Sequence, residues 1–434
     1  MKNKSLNRSF NRTPRTSGAA TTDDTPSTWL VVKLVFASRA IYLCIAVASS
    51  LLATEYDTSV TVSNKLSAST IHHTCTGSVS RIALSLMKPL IRWDAVYFLS
   101  IAESGYTYEQ QFAFFPGLPL LMRSFAALLR LITGGSMCDQ ALLAMAGLFV
   151  TNMMFVGAAI SLYWLSIHIL RDNRLAVISA ALFAFSPAGI FMSSIYTESP
   201  FAMCAFAGML CMVRGRIWYA SAWWFCASLI RANGILLAGF LVWDMLHPFS
   251  PQKNLSYYSW NLFCTGMDGI QRPWCTNFIP SLYSFVQDYY WNNGFLKYYT
   301  LQQIPNFLLA TPYLLVSVMG ISEFIYRYRL EVLSLGFITS QESERAQLIR
   351  TQLPFMYLWM AMLAICALFM HVQVILRFFT SMPMLFWVLA QWLGQCSSDT
   401  TAYRLGMAGS MFSVYYAVYP AVGAVLFACF LPPA

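Results

Sequence analysis

The sequence predicts an all-α polytopic membrane protein, with about eight to ten transmembrane helices and with amphipathic helices in its lumenal loops. Of its 434 residues, 58% are hydrophobic and only 10% are charged, and the mean hydropathy is +0.56. Soluble domains carry roughly 25% charged residues, so a chain of this composition cannot cover a water-facing surface. Its apolar residues also form blocks close to the ~20 residues that a bilayer requires.

The net charge of +9 does not indicate nucleic-acid binding, because the basic residues are spread over short loops and one tail. This distribution fits the excess of Lys and Arg on the cytosolic side of membrane proteins. Residues 1–28 are rich in Ser, Thr, Asn and Arg and are predicted to form a disordered cytosolic tail. Residues 29–434 then form a single transmembrane domain.

The first span is predicted at 29–53, and a first lumenal loop follows at 54–111. Within this loop, apolar side chains recur at helical spacing and predict a helix lying along the membrane; they are Ile91, Ala95, Phe98, Leu99 and Ala102. A second loop, at 247–305, is rich in aromatic residues and low in Lys and Arg, and it is predicted to be lumenal as well.

The remaining apolar blocks lie at 113–133, 141–170, 174–193, 199–213, 217–246, 306–327, 354–371, 373–394 and 408–431. The 141–170 block fits either one long helix or part of a tight pair. Basic residues indicate cytosolic loops near Arg171 and Arg214 and from Arg327 to Arg350. Simple alternation from the first span conflicts with a cytosolic Arg171, so the parity of the helices stays open.

Eleven cysteines are present, and many lie inside apolar runs, where cysteine behaves as a small buried hydrophobe. Only Cys264 and Cys275, in the second lumenal loop, are predicted as a possible disulfide. The pair His72-His73 is interpreted as a solvated loop feature, since a metal site needs further converging ligands. No Asp-x-Asp pair, P-loop or Gly-x-Ser-x-Gly turn is present, and no metal site is predicted.

One carboxylate, Asp94, lies among aromatic residues between two hydrophobic blocks. It belongs to the segment from Arg92 to Tyr106, which is followed by Phe112-Ala-Phe-Phe-Pro-Gly-Leu-Pro119. A charge beside a membrane is costly and indicates a function, although an interfacial helix with Asp94 facing water remains an alternative. Glu103 lies on the opposite face of such a helix, so the two do not form a paired-carboxylate site.

Other polar residues lie in or beside the apolar blocks and together predict a hydrophilic cavity that opens to one side. Taken singly, each also has a structural interpretation: Arg231 could pair with Glu198, and Asn233-Gly234 could be a helix break. These polar residues are Tyr196, Glu198, Arg231, Asn233, Gln303, Asn306, His371 and Arg377.

Through Trp93-Asp-Ala-Val-Tyr-Phe and the Phe112–Pro119 segment, the chain resembles the GPI mannosyltransferase 2 family of the PIG-V type, within the GT-C superfamily. One departure is Tyr97, at a position where the family carries a histidine. The resemblance extends over about residues 29–431. It is supported by Ser186-Pro187, Tyr196-Thr-Glu-Ser-Pro, Arg231-Ala-Asn-Gly, Gly294-Phe-Leu-Lys-Tyr-Tyr, Gln303-Ile-Pro-Asn-Phe and Arg377-Phe-Phe.

The resemblance implies a GT-C-like helical bundle and an enzyme of the endoplasmic-reticulum membrane. Such an enzyme takes mannose from dolichyl-phosphate mannose and adds it, in α-1,6 linkage, as the second mannose of the mannosylated GlcN-phosphatidylinositol precursor. It uses no cofactor, and fungal members suggest a small membrane accessory subunit. Asp94 matches the acidic residue that is the usual catalytic candidate of GT-C enzymes.

Inversion at the sugar carbon requires one general base, and Asp94 can fill that role. The leaving phosphate requires cationic or hydrogen-bonding neighbours, for which the candidates are Arg92, Arg231 and Arg377. The other predicted substrate-binding residues are Trp93, Tyr196, Glu198, Asn233, Gln303 and Asn306.

Three alternatives remain: a transferase that uses another dolichyl-phosphate sugar or acceptor, a transporter or flippase, and a non-catalytic scaffold. The motifs after residue 186 argue against the first. Transporters often show two similar halves with broken helices, and this sequence shows no such symmetry. A scaffold would tolerate changes at Asp94.

Overall fold

The computed structural model describes residues 25–53, 75, 77–246, 287, 289, 293–338, 344–394 and 400–431. The predicted tail up to residue 24, His72-His73 and the Cys264–Cys275 pair lie outside these ranges. The α-helices within them are α1 (Thr25–Leu52), α2 (Ser78–Met87), α3 (Asp94–Ser104), α4 (Gly117–Ile132), α5 (Asp139–Leu170), α6 (Asn173–Ala184), α7 (Glu198–Val213), α8 (Ile217–Ile230), α9 (Ala238–Leu246), α10 (Ile304–Arg327), α11 (Arg329–Leu333), α12 (Glu344–Leu368), α13 (Ile375–Phe378), α14 (Pro383–Gly394) and α15 (Thr400–Ala428).

The prediction of an all-α polytopic membrane protein is confirmed, and the described ranges contain no strand. Four helical stretches there are long and apolar enough to cross a bilayer: Ser27–Leu52, Asp139–Leu170, Leu301–Arg327 and Gln347–Leu368. A fifth arises if the segment 372–381 and α14, which meet at 87°, count as one broken span. Five shorter apolar helices accompany them. The expected eight to ten crossings therefore require that most of these shorter helices cross as well.

Several details of the apolar blocks are resolved. The 141–170 block is one helix, α5, which packs along α4, α6 and α7. The 217–246 block breaks at Arg231 into α8 and α9, joined by the 3-10 segment Ala232–Leu237, as the Asn233-Gly234 pair predicted. The expected loop from Arg327 to Arg350 is wrong in its extent. Helix α12 already begins at Glu344, because its charged first turns continue directly into the apolar span.

Helix α3 lies where the apolar spacing predicted a helix, although it begins at Asp94, after Ile91; its orientation along the membrane stays a prediction. Ala95, Phe98, Leu99 and Ala102 are all buried, as their spacing on one helical face predicted, and Val96 and Ile101 outside that set are buried as well. Glu103 is exposed on another face, where its carboxylate accepts a hydrogen bond from Gln140 (3.3 Å).

Buried side chains form two hydrophobic cores, and this helix belongs to the smaller one. The larger joins α1 and α5–α8 to α10, α12 and α14, and the smaller joins α3, α4, the start of α5 and the loop before α7. A disulfide that the sequence did not predict, Cys75–Cys138, ties the chain just before α2 to the start of α5. The segment carrying Asp94 is therefore held on one end of the bundle by packing and by a covalent link.

Candidate active site

Asp94 is the first residue of α3, and a strained residue precedes it. Trp93 adopts φ +52°, a conformation that is unfavourable for a bulky residue. Such strain persists only where the surroundings hold it, and it is concentrated at functional sites. The orientation of Asp94 is therefore set by this strained turn and not by regular helix geometry.

Tyr196, in the loop between α6 and α7, stabilises this turn. Its hydroxyl accepts a hydrogen bond from the Asp94 backbone N–H (3.1 Å) and donates one to the carbonyl of Arg92 (3.2 Å), so it bridges the two residues that flank Trp93. Burial, together with the negative charge of Asp94, raises the pKa of Tyr196 well above its usual value. The phenol therefore stays protonated and keeps its donor at physiological pH.

An ion-pair network connects Asp94 to the membrane helices. Arg377 donates from Nη2 to Asp94 Oδ2 (3.0 Å) and from Nε to Glu198 Oε1 (2.6 Å). Arg231 Nη1 approaches the same Glu198 oxygen at 3.0 Å, as one of the predicted interpretations of Arg231 required. Glu198 is fully buried, whereas the Asp94 side chain is 31% exposed. The network thus runs from the interior to an open surface at Asp94.

Aromatic rings support the two guanidinium groups. Arg377 lies 4.9 Å from the ring centres of both Phe191 and Tyr196, and Arg231 lies 4.4 Å from that of Phe378. Stacking on an aromatic face adds to the attraction that each cation feels. These contacts hold both arginines in place within the ion-pair network.

The open end of the network is a cleft of about 200 Å³. Asp94, Arg231, Asn233 and Arg377 line it together with Phe114 and Phe115. Both amide atoms of Asn233 are buried and have no hydrogen-bond partner among the described residues, and the same holds for Glu198 Oε2. The cleft therefore combines a carboxylate, two cations, aromatic walls and polar groups able to bind hydroxyls.

Two glycines bring the walls of the cleft close together. A Cβ on Gly117 would lie 2.7 Å from the carbonyl oxygen of Leu229, so the Phe-Phe-Pro-Gly segment touches the end of α8. A Cβ on Gly234 would lie 2.6 Å from backbone atoms of Ser228. Since only glycine permits such close approach, these two residues position the aromatic wall and the Arg231 loop.

Other predicted site residues lie elsewhere. Arg92 is buried with its guanidinium 4.6 Å from the ring centre of Phe430, and Trp93 packs against that same ring. Gln303 and Asn306 hydrogen-bond to each other beside Tyr298, next to the cleft. None of these four residues lines the cleft itself. Their assignment as substrate-binding residues stays a prediction.

The cleft also contains residues that the sequence did not assign to a site. They are Phe98, Ala113, Thr197, Ile230, Ala232, Gln287, Asn293, Met370, Val374 and Phe378. His371, which the sequence analysis placed among the polar residues of a hydrophilic cavity, also lines the cleft. No group of three or more His, Cys, Asp or Glu side chains that could hold a metal occurs among the residues whose placement is described.

Comparisons with known proteins point in one direction. The family model described as Mannosyltransferase (PIG-V) matches residues 29–254 and 245–434. The GPI alpha-1,6-mannosyltransferase 2 of Cricetulus griseus is 33% identical over 73% of this chain and 75% of its own length, and that of Homo sapiens is 31% identical over 73% and 76%. The GPI mannosyltransferase 2 of Gibberella zeae is 32% identical over 81% and 87%. No solved structure matches the chain.

Proposed function

The chain belongs to the PIG-V mannosyltransferase family, and we propose that it adds the second mannose, in α-1,6 linkage, to the first mannose of the GPI-anchor precursor. The relatives carry this linkage in their names. The donor in this proposal is dolichyl-phosphate mannose, and the site is the cleft at Asp94. The reaction takes place at the lumenal face of the endoplasmic-reticulum membrane and needs no cofactor.

The chemistry is a single displacement with inversion. Asp94 accepts the proton of the acceptor hydroxyl while that oxygen forms a bond to the sugar C1. The bond between C1 and the phosphate oxygen breaks, and its electron pair leaves with the phosphate. Arg231 and Arg377 supply charge and N–H groups for the phosphate.

The observation that carries the proposal is the shared cleft. A carboxylate able to act as base and two arginines line one surface, although Asp94 and Arg377 are separated by 283 residues of sequence. The unpartnered amide of Asn233 offers a donor and an acceptor to sugar hydroxyls. Phe114 and Phe115 give an apolar wall that suits a polyprenyl chain.

The lumenal side is supported by the Cys75–Cys138 disulfide. Disulfides persist in oxidising compartments such as the lumen of the endoplasmic reticulum and are rare in the cytosol. The bond lies in the segment that carries Asp94. A small membrane accessory subunit, implied by the resemblance to fungal members, completes the proposal.

A membrane assay tests this function. Membranes containing the chain are given dolichyl-phosphate mannose and a one-mannose GPI precursor, and the lipid products are separated by mass. The proposal predicts addition of one hexose, removable by an α-1,6-specific mannosidase, and none when GDP-mannose replaces the lipid donor in an assay of the purified chain, where no membrane enzyme can convert GDP-mannose into the lipid donor. Transfer to another acceptor, or from the nucleotide sugar, would contradict it.

A further inference from the structure

A second polar network lies behind the wall of the cleft and is built around Tyr298. The ring of Tyr298 stacks on the imidazole of His371, with centroids 4.4 Å apart and planes inclined by 20°. His371 lines the cleft, whereas Tyr298 does not. The tyrosine ring therefore forms a flat support for a histidine that faces the site.

The support is fixed by side-chain amides. The Tyr298 hydroxyl donates to Gln373 Oε1 (3.0 Å) and accepts from Asn306 Nδ2 (2.8 Å), and Asn306 also donates to Gln303 Oε1 (2.6 Å). Polar side chains beside apolar spans are costly unless they satisfy one another. The arrangement gives Gln303 and Asn306 a role even though neither lines the cleft.

The ion-pair network at the cleft has no excess of positive charge with which to bind an anion. Asp94 and Glu198 carry two negative charges, and Arg231 and Arg377 carry two positive ones, so this network is neutral as a whole. An incoming phosphate brings negative charge, and that charge grows when the bond to the sugar breaks. Among the described residues that line the cleft, His371 is the additional side chain of a basic residue type, and a protonated imidazole donates from both ring nitrogens.

We propose that His371 binds the phosphate of the polyprenyl-phosphate donor. An imidazole N–H donates to a phosphate oxygen, and Tyr298, Asn306 and Gln303 act as positioning residues through the imidazole ring. The inference rests on the proposed function for the identity of the donor. The phosphate chemistry itself can be tested without turnover.

The test measures binding of dolichyl phosphate to the purified full-length chain by thermal shift, with dolichol as the probe that lacks phosphate. His371→Ala is expected to weaken dolichyl-phosphate binding by about ten- to a hundredfold, the range for a lost hydrogen bond to a charged group. His371→Gln keeps an N–H donor without a charge and is expected to lose less. Dolichol binding stays unchanged in both variants.

His168→Gln is the matched control, because this histidine lies on α5, where it hydrogen-bonds to the Trp164 carbonyl, and does not line the cleft. It should bind dolichyl phosphate as the wild type does. Equal affinity in wild type and folded His371 variants would overturn the proposal. So would a wild-type chain that does not distinguish dolichyl phosphate from dolichol.

The positioning role has its own test. Tyr298→Phe keeps the stacked ring but removes the hydroxyl, and a several-fold loss of dolichyl-phosphate affinity is expected, about that of one neutral hydrogen bond. In a His371→Ala background the same change should have no further effect on phosphate binding. An additive loss in the double variant would show that Tyr298 acts independently of His371 and would overturn this part.

Transfer assays separate this inference from the proposed function. If the wild type is active and His371→Ala changes neither the KM for the donor nor kcat, the proposed phosphate site is wrong and the proposed function still holds. If dolichyl-phosphate binding depends on His371 but the chain transfers no mannose to the GPI precursor, the phosphate site is supported and the proposed function is contradicted.

Discussion

Arg377 Nη2 lies 3.0 Å from Asp94 Oδ2. This contact joins the segment 372–381 to the first turn of α3. The same guanidinium holds the buried Glu198. The position of the proposed base therefore depends on three separate elements of the bundle. Substitutions in any of these three elements are expected to lower the rate of mannose transfer.

Arg377→Lys is predicted to reduce kcat/KM for mannose transfer at least tenfold. A lysine keeps the charge but cannot present the planar fork that binds two carboxylates at once, and charge-assisted hydrogen bonds are worth roughly 1.5–3 kcal/mol each. Arg327→Lys, at an arginine paired with Glu323 outside the cleft, is the control and should keep its activity. Full activity in Arg377→Lys would mean that the double contact is not required.

Glu198→Gln is predicted to lower both transfer activity and thermal stability. The substitution keeps the shape but leaves Arg231 and Arg377 beside a neutral amide in the interior, and removing one partner of a buried ion pair typically costs ~3–5 kcal/mol. A thermal scan of the purified variant, set beside its kcat/KM, measures both effects. An unchanged melting temperature would contradict the predicted contribution of this buried ion pair to stability.

Tyr196→Phe is predicted to reduce kcat roughly tenfold and to lower stability by roughly 1–3 kcal/mol, since two buried backbone groups lose the hydroxyl that pairs them. The ring that supports Arg377 remains, and only the bridge across Trp93 is lost. Tyr357→Phe is the matched control, because its hydroxyl donates to the Val332 carbonyl away from the cleft. Equal losses in both variants would argue against a specific role for the bridge.

Gly117→Ala is predicted to destabilise the protein and to reduce activity, because its Cβ would meet the Leu229 carbonyl at 2.7 Å. Gly239→Ala, in a helix with no atom within 4 Å of the new Cβ, should be neutral or stabilising by up to about 1 kcal/mol. Melting temperatures of the two variants, measured in the same detergent, test this contrast. Similar stabilities would contradict the close packing of the Phe-Phe-Pro-Gly segment.

In the denatured protein, Cys75 and Cys138 are predicted to resist maleimide labelling until a reductant is added, whereas Cys44 on α1, which carries a free thiol, should label directly. Cys138→Ser is expected to lower stability by roughly 2–5 kcal/mol, as removal of a native disulfide commonly does. Labelling of all three residues without a reductant would contradict the bond.

The sequence predicted those features that depend on local pattern. The buried face of α3 follows from the spacing of its apolar residues. The helix break at Arg231 and the pairing of Arg231 with Glu198 were among the structural interpretations that the cost of charge in lipid suggested. The sequence did not predict the ion pair between Arg377 and Asp94, because these residues are 283 positions apart and no periodic pattern connects them.

The disulfide was missed for the same reason. Cys75 and Cys138 are 63 residues apart, and their proximity depends on how α2 packs against α5. The 87° bend before α14 could not be predicted, because the segments on both sides of it are apolar and form one continuous hydrophobic block in the sequence. Composition and periodicity report the environment of each residue, whereas these features depend on tertiary packing.

The central claim is that Asp94 is the base of the transfer reaction, and the most direct test compares Asp94→Asn with Glu103→Gln, which changes the other carboxylate of α3. Both variants are purified and shown to be folded, and single-mannose transfer from dolichyl-phosphate mannose is then measured. The account predicts that Asp94→Asn loses at least about a hundredfold in kcat, within the range that a general base contributes, and that Glu103→Gln keeps wild-type turnover. Retained turnover in folded Asp94→Asn would contradict it.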